Sequence, residues 1–302
     1  MFTFKQLEAV YWVVKTGGFA QAATKLHTTQ SAISKRVHDL ENLFDTPLFD
    51  RSQRSARLTE KGEEMYLVAK KFLEQREAAV DMFGRPETLE RRIRIGVTEL
   101  TAITWLPRLI GQIQTDFPKV VIEPDVDNSV ALTSKVLSDD LDLIIVPDAF
   151  TDARLSPAIA VGSVENVWMS KPGLVQTGRK AAKVAELAAL PLLTQGVQSG
   201  SGVLYDQWFR KVGFKPASSI ICNNLLALIG LTVSGLGISL LPKKCLSDAV
   251  AAGLLEEIKA SPSLPDTTYV ALYLAEKRST LVPSIVMLAQ ECCDFTRIFR
   301  GV

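Results

Sequence analysis

Gln30, Ser31, Ser34 and Lys35 are spaced to project from one side of the opening turns of a short helix. Their chemistry is hydrogen bonding to flat edges rather than bond making: Gln pairs with adenine and Lys with guanine in the major groove. Thr29 sits one residue before this helix, where its hydroxyl can accept from the otherwise orphaned first-turn N–H groups. Ile33, Val37, Leu40 and Phe44 repeat at four, three and four, giving the helix a single apolar stripe behind the polar face. Upstream, Phe19 to Leu26 forms a second helical pattern, in which Ala22, Ala23 and Leu26 offer a small-residue face for close crossing. A polar turn at His27-Thr28 joins the two, as a helix-turn-helix requires.

Pro47-Leu48-Phe49-Asp50-Arg51 and then Arg54, Arg57, Leu58 and Thr59 follow as a short extended segment. A basic hairpin placed there is a wing, able to grip phosphates or a minor groove, with Arg36 as a further phosphate candidate. Residues 20–58 hold six Lys/Arg (Lys25, Lys35, Arg36, Arg51, Arg54, Arg57) against four acids (Asp39, Glu41, Asp45, Asp50). The inference to DNA therefore rests on placement and not on bulk charge; the whole chain carries only +1.

Other reactive side chains are sparse. Cys222, Cys245, Cys292 and Cys293 lack Cys-x-x-Cys spacing, and His27 and His38 are the two histidines of the chain, so no zinc site is expected. The thiols read as reduced, mostly buried fillers. Glu99 or Asp127 could act as a base, but no nucleophile elbow, phosphate loop, dinucleotide fingerprint or metal cluster accompanies either. An α/β enzyme is thus the weaker reading, and no cofactor is called for. A transporter's solute-binding protein is also disfavoured: the first twenty residues lack a secretory signal, and such a protein has no use for residues 1–86. The protein is expected to be cytoplasmic, with no membrane partner.

Several elements must position these groups. Phe4 to Lys15 reads as a helix ended by Gly17-Gly18. A long helix runs from Thr59 to about Phe83 before Gly84-Arg85-Pro86. Within it Met65, Phe72 and Ala79, Tyr66, Leu73 and Val80, and Ala69, Arg76 and Phe83 are each seven apart, a seam suited to a partner helix. After Arg91-Arg92 strands and helices alternate: strands at Ile93–Val97, Val120–Val126, Leu141–Val146, Val164–Ser170, Leu192-Leu193, Ser219–Cys222, Ile238–Leu241 and Tyr269–Leu274; helices at Ala102–Asp116, Ala131–Leu137, Val184–Ala189, Val203–Val212, Leu225–Val233 and Leu281–Phe299. Alternation of this kind predicts parallel sheets covered on both faces. No internal repeat is visible.

Phe19, Ala22-Ala23, Leu26, Gln30-Ser31-Ala32-Ile33-Ser34, Leu40-Glu41, Pro47-Leu48-Phe49, Arg51 and Leu58-Thr59-Glu60-Lys61-Gly62 together resemble the DNA-binding domain of the LysR-type transcriptional regulators, in order and spacing. Ser31 departs from the family's usual Pro, and Asp45 from its frequent Gly, although Asp tolerates the left-handed backbone a Gly supplies. Gly235-Leu236-Gly237-Ile238-Ser239-Leu240-Leu241-Pro242 resembles the family's effector domain. The resemblance implies an α+β multidomain chain: a winged helix-turn-helix over 1–58, a linker and dimerisation helix over 59–87, and a two-lobed α/β effector domain shaped like a periplasmic binding protein over 88–302. Lobe I would take about 88–160 and 267–302 and lobe II about 161–266, with the chain crossing near Asp148 to Ala160 and returning near Pro262 to Thr268. The implied partners are double-stranded DNA with dyad symmetry, a second copy in a homodimer or homotetramer, a small organic effector, and RNA polymerase as a further candidate.

Ligands of open α/β sheets collect beyond the carboxyl ends of strands, beside helix amino termini. Four loops qualify: Thr98, Glu99, Leu100 and Thr101; Asn128 and Ser129; Gln195 to Gly202, including Ser199 and Ser201; and Asn223-Asn224. Capping is the simpler role for each Ser, Thr or Asn, and a cleft needs only a few placed polar groups. The effector is expected to be an acid. Glu99 complicates this, since it would repel an anion unless it points away or meets an amine or hydroxyl.

Overall fold

A computed structural model describes residues 2–50, 57–83, 91–175, 181–277, 279 and 281–298. The chain forms two compact units, one holding the described residues up to Phe83 and the other those from Arg91 to Lys277 and from Leu281 on.

The first unit is four helices and a short hairpin: α1 Phe4–Thr16, α2 Phe19–Lys25, α3 Gln30–Phe44 and α4 Glu60–Phe83. Gln6 reaches back to accept from Thr3 N at 2.7 Å, fixing the start of α1, and Gly17 ends it in the left-handed region at φ 79°. Asp45 closes α3 at φ 46°, the conformation the family's Gly would adopt more cheaply. Leu7, Val10 and Val13 of α1 meet Ala22, Ala23, Ile33, Val37 and Leu40 in one core. Glu41 is buried within it, and its Oε1 accepts from Leu48 N at 2.7 Å and Phe49 N at 3.3 Å, tying α3 to the hairpin. The hairpin pairs Phe49 with Leu58, and Asp50 N donates to Arg57 O at 2.8 Å. Thr59 Oγ1 accepts from Gly62 N at 3.0 Å and so starts α4.

Two expectations change here. Phe44 is about half exposed (47%) rather than in the core; its ring stands 6.2 Å from that of Phe2 because the last turn of α3 overruns the packed layer. Five of the nine heptad positions of α4 are engaged inside the unit: Ala69 and Leu73 are buried, Met65 packs on the core, Tyr66 stacks on Tyr11 at 5.7 Å, and Arg76 pairs with Glu8 at 2.6 Å, while Phe72 and Ala79 are exposed and the side chains of Val80 and Phe83 lie outside the described residues. Among the described residues of this unit, the large apolar side chains facing solvent are Phe2, Phe4, Leu43, Phe44, Leu67, Val68 and Phe72.

The second unit carries β1 Arg91–Val97, α5 Glu99–Thr104, α6 Leu106–Asp116, β2 Val120–Val126, α7 Ser129–Leu137, β3 Leu143–Pro147, β4 Ile159–Val164, β5 Asn166–Ser170, β6 Ala182–Lys183, α8 Val184–Leu187, β7 Leu192–Thr194, α9 Gly200–Val212, β8 Ser219–Ile221, α10 Leu225–Val233, β9 Ile238–Pro242, α11 Ser247–Ala251, β10 Glu256–Ile258, β11 Ala260–Ser261, β12 Thr267–Leu272 and α12 Leu281–Cys292. The single helix expected over Ala102–Asp116 is two, broken at Trp105, because Pro107 brings no N–H and favours the first turn of a new helix.

Two five-stranded sheets result, in the orders β2-β1-β3-β12-β4 and β10-β5-β9-β7-β8. They are mixed, not parallel: β12 runs antiparallel to β3 and β4, and β5 runs antiparallel to β9 and β10. The expected strand Val164–Ser170 proves to be the crossing itself. β4 belongs to the first sheet and β5 to the second, so the chain changes lobe at Glu165, beyond the Asp148–Ala160 stretch. Asn166 holds this joint, its Nδ2 donating to Thr267 Oγ1 on the returning strand at 3.1 Å and to Val164 O at 3.3 Å. Hydrophobic runs such as Leu143–Pro147 and Ile238–Pro242 are buried throughout, as central strands covered on both faces must be.

Candidate functional site

In the first unit, Thr29 Oγ1 accepts from Ala32 N at 3.2 Å and fixes the start of α3; the same hydroxyl lies 3.0 Å from Ser31 Oγ. With Ile33, Val37 and Leu40 sealed inward, Thr29, Gln30, Ser31, Ser34 and Lys35 all face solvent, while Arg36 is half-buried at the edge of that face. One polar surface therefore stands on a rigid, capped helix. Arg57 is exposed on the hairpin. Arg51 and Arg54 lie outside the described residues. Glu41 and Gly62 were not singled out as site residues, yet both set the hairpin's position: a Cβ on Gly62 would fall 2.0 Å from Leu48 O. The signal for them in the sequence was present only as part of the family pattern.

The second unit holds a cleft of about 350 Å³ at the carboxyl ends of both sheets. In each sheet it lies where strand order reverses, at β1 between β2 and β3 and at β7 between β8 and β9, the place where loops splay apart. Thr98, Glu99 and Leu100 line it after β1, Asn128 and Ser129 after β2, Gln195, Ser199 and Ser201 after β7, and Asn223 after β8. Thr101 does not reach it. That residue is wholly buried inside lobe I, one helical step behind the wall, and its Oγ1 has no hydrogen-bond partner.

Most of the polar lining is engaged in holding its own frame. Asn128 Oδ1 accepts from Ala131 N at 2.9 Å, Asn224 Oδ1 from Ala227 N at 2.8 Å, and Asn223 Oδ1 from Gly196 N at 3.2 Å. Ser199 Oγ donates to Gln195 Oε1 at 3.0 Å. Four further hydrogen bonds bridge the lobes. Gly200 N at the start of α9 donates to Ser129 Oγ at 3.0 Å, and Val130 N donates to Gln198 O at 3.2 Å. The Glu99 carboxylate accepts from Asn224 Nδ2 and from Leu225 N at the start of α10. Glu99 thus points neither to bulk solvent nor to a cation; it sits on a helix terminus of the opposite lobe, which favours negative charge.

Sequence reasoning missed Asn166, Tyr205 and Tyr269 because they lie within a strand or helix, where no loop signal marks them. Burial pushes the Tyr269 hydroxyl up to about 12 despite Thr98 and Ser201 beside it, so it stays protonated. Thr98 Oγ1 itself is buried and makes no aligned hydrogen bond. Among the described residues the lining holds two carboxylates, Glu99 and Asp127, and no Lys, Arg or His. Burial raises the Asp127 pKa, but the Lys135 ammonium at 3.0 Å and Asn128 N at 2.7 Å outweigh it and hold the carboxyl below the ordinary range. The expected acidic effector would meet no side-chain counter-charge here.

The cysteines are free: Cys245 and Cys292 are buried, Cys222 and Cys293 partly so. Cys245 Sγ donates to Phe295 O at 2.7 Å, and burial pushes that thiol up to about 12, leaving it inert. No group of three or more metal-binding side chains occurs among the described residues, and no described helix is long and apolar enough to cross a membrane.

Two family models match the sequence, one described as "Bacterial regulatory helix-turn-helix protein, lysR family" over residues 4–63 and one as "LysR substrate binding domain" over residues 86–292. The HTH-type transcriptional regulator MetR of Salmonella typhimurium is 25% identical over 306 residues, covering 100% of this chain and 94% of its own. The HTH-type transcriptional regulator CzcR of Bacillus cereus is 26% identical over 250 residues, covering 82% of this chain and 83% of its own. A full-length OxyR variant from Pseudomonas aeruginosa has the same fold, with a TM-score of 0.72 at 20% identity over 98% of this chain and 97% of that one. The helix-turn-helix model covers the unit that carries the capped α3 and the substrate-binding model covers the two α/β lobes with their cleft, and the chain belongs to the LysR family of DNA-binding transcriptional regulators with an effector-binding domain.

Proposed function

We propose that α3 enters the major groove with Thr29, Gln30, Ser31, Ser34 and Lys35 toward the bases, while Arg57 on the hairpin, together with Arg51, Arg54 and the half-buried Arg36, contacts phosphates. The observation carrying this is the division of α3 into a sealed apolar face and a solvent-facing polar one that begins at a capped first turn. Recognition helices present those first turns to base edges. The protein works in the cytoplasm as a homodimer or a homotetramer on a dyad-symmetric site. Support for pairing comes from an exposed aromatic patch in which the Phe2 ring lies 6.2 Å from Phe44 and 6.0 Å from Phe72, and Phe72 lies 6.5 Å from Phe4, with Leu67 and Val68 also exposed on α4; an apolar surface of this kind marks an association site.

A small organic effector occupies the cleft and changes DNA binding by favouring one relative arrangement of the lobes, which it does only if it binds the two arrangements with different affinity. Selection of genomic fragments by the full chain at low ionic strength, followed by footprinting, tests the reading. The expected result is protection of a site with two related halves about one helical turn or a multiple apart. Failure to retain any fragment, with or without added metabolites, overturns it.

A further inference from the structure

The charge of the cleft wall is uneven in a way that its shape does not require. Asp127 is balanced by Lys135, which it shares with Asp125 at 3.0 Å and 2.7 Å. Glu99 is held only by neutral donors, Asn224 Nδ2 and Leu225 N, and among the described residues no ion pair reaches it. An ionised carboxylate offers about four acceptor positions, so the two oxygens keep lone pairs beyond those two contacts. Beside it, the Thr98 hydroxyl lines the same wall next to the Tyr269 hydroxyl.

Five of the backbone donors that would attract an anion are already engaged. Leu225 N is bound to Glu99, Gly200 N to Ser129 Oγ, Val130 N to Gln198 O, and Ala131 N and Ala227 N to their capping asparagines. To use these donors an incoming carboxylate would have to displace their contacts, and throughout the cleft it faces Glu99 and Asp127 with no side-chain cation among the described lining residues to offset them. An incoming ammonium or guanidinium meets the reverse: a fixed carboxylate with free lone pairs, set in a wall without competing cations.

We propose that Glu99 selects the effector by charge, serving as the counter-ion for a cationic nitrogen and excluding carboxylates from the α10 terminus that it occupies. This rests on the reading of the cleft as the effector site. Because Glu99 also bridges the lobes, a cation bound to it steadies the same contact that joins them, which links recognition to lobe arrangement through one side chain.

The test compares two probes of equal chain length, 1,5-diaminopentane and glutarate, by isothermal titration and thermal shift on the full chain. The wild type binds the diamine in the low millimolar range or better and binds glutarate more weakly. Glu99→Gln weakens the diamine by about tenfold or more, the loss expected for one charge-assisted hydrogen bond, and narrows or reverses the preference; Glu99→Asp, which keeps the charge, retains it. Equal or tighter binding of glutarate by the wild type, binding of neither probe, or an unchanged diamine affinity in Glu99→Gln overturns the proposal. The wild-type comparison needs no variant and stands if Glu99→Gln fails to fold. Gel-shift assays on the same samples separate the two readings: DNA binding that persists without any charge preference refutes the role of Glu99 alone, whereas loss of all DNA binding by the wild type refutes the regulator reading beneath it.

Discussion

Lowering the pH through the carboxylate range should loosen the base of lobe I through one residue, Asp142. Its Oδ2 accepts from Arg94 N at 2.8 Å and Nε at 3.0 Å, and its Oδ1 from Arg94 Nη2 at 2.8 Å and Lys277 Nζ at 2.6 Å. Burial alone would raise its pKa, but the Arg94 hydrogen bonds and the Lys277 charge outweigh burial and hold it at about 2 against an ordinary 3.8. That depression corresponds to about 2 kcal/mol of stability. The sign follows from the direction: the folded state binds the proton less readily, so the contribution is complete above the ordinary value and disappears as pH falls through 4 toward 2. Asp142→Asn removes the charge at every pH and leaves Arg94 and Lys277 with Asp139 as their nearest carboxylate and Asp140 as a weaker influence on Arg94, at a cost of roughly 3 kcal/mol near neutrality. Urea unfolding of wild type and variant at matched pH reads the difference. The gap between them should hold steady from pH 7 to 5 and shrink by about 2 kcal/mol at the acid end. Parallel stability curves across that range would show that Asp142 is not the group that titrates, and would refute the electrostatic account of this corner.

Other consequences concern DNA and association. Gln30→Ala should lose about 1–3 kcal/mol on the preferred site and relax base preference at one position, and footprinting with unchanged preference would remove Gln30 from the readout. Arg57→Ala should weaken binding to all sequences alike and reduce the salt dependence by about one counterion in log–log slope; an unaltered slope in a filter-binding titration places Arg57 away from phosphate. Phe72→Glu puts a charge in the exposed aromatic patch and should yield a folded monomer by analytical ultracentrifugation, whereas a persistent dimer would locate the interface elsewhere. In Gly62→Ala the new methyl would lie 2.0 Å from Leu48 O, so helix and hairpin must part; about 1–3 kcal/mol of destabilisation is expected by thermal melting, with weakened DNA binding, and wild-type stability would contradict the packing.

Local patterns carried much of this molecule into view. The cap at Thr29, the left-handed turn at Asp45 and the helix Leu225–Val233 depend on residues within a few positions of one another, so their types and spacing suffice. The loops that line the cleft were legible for the same reason, since Ser, Thr and Asn gather where helices begin. Interior contributors were not. Asn166 and Tyr269 look like ordinary strand residues until two crossing strands bring them to the cleft. Thr101 shares its loop with Thr98 but turns into the core, a difference of helical phase at a boundary that periodicity does not fix.

What the sequence alone determined is most of the helices, the central strands and the polar face of α3, because burial period and capping chemistry are local. What tertiary structure decided is partnership. The second lobe repeats the strand order of the first, β8-β7-β9-β5-β10 against β2-β1-β3-β12-β4, with no repeat in residues to announce it. The first lobe completes its sheet with β12, a strand that returns only after the whole second sheet has been built. Glu99 shows the same limit most sharply: its partner lies 125 residues away. Alternation of apolar residues says that a strand will be covered, and a carboxylate that it will seek a donor, but only the closure of one lobe on the other chooses which.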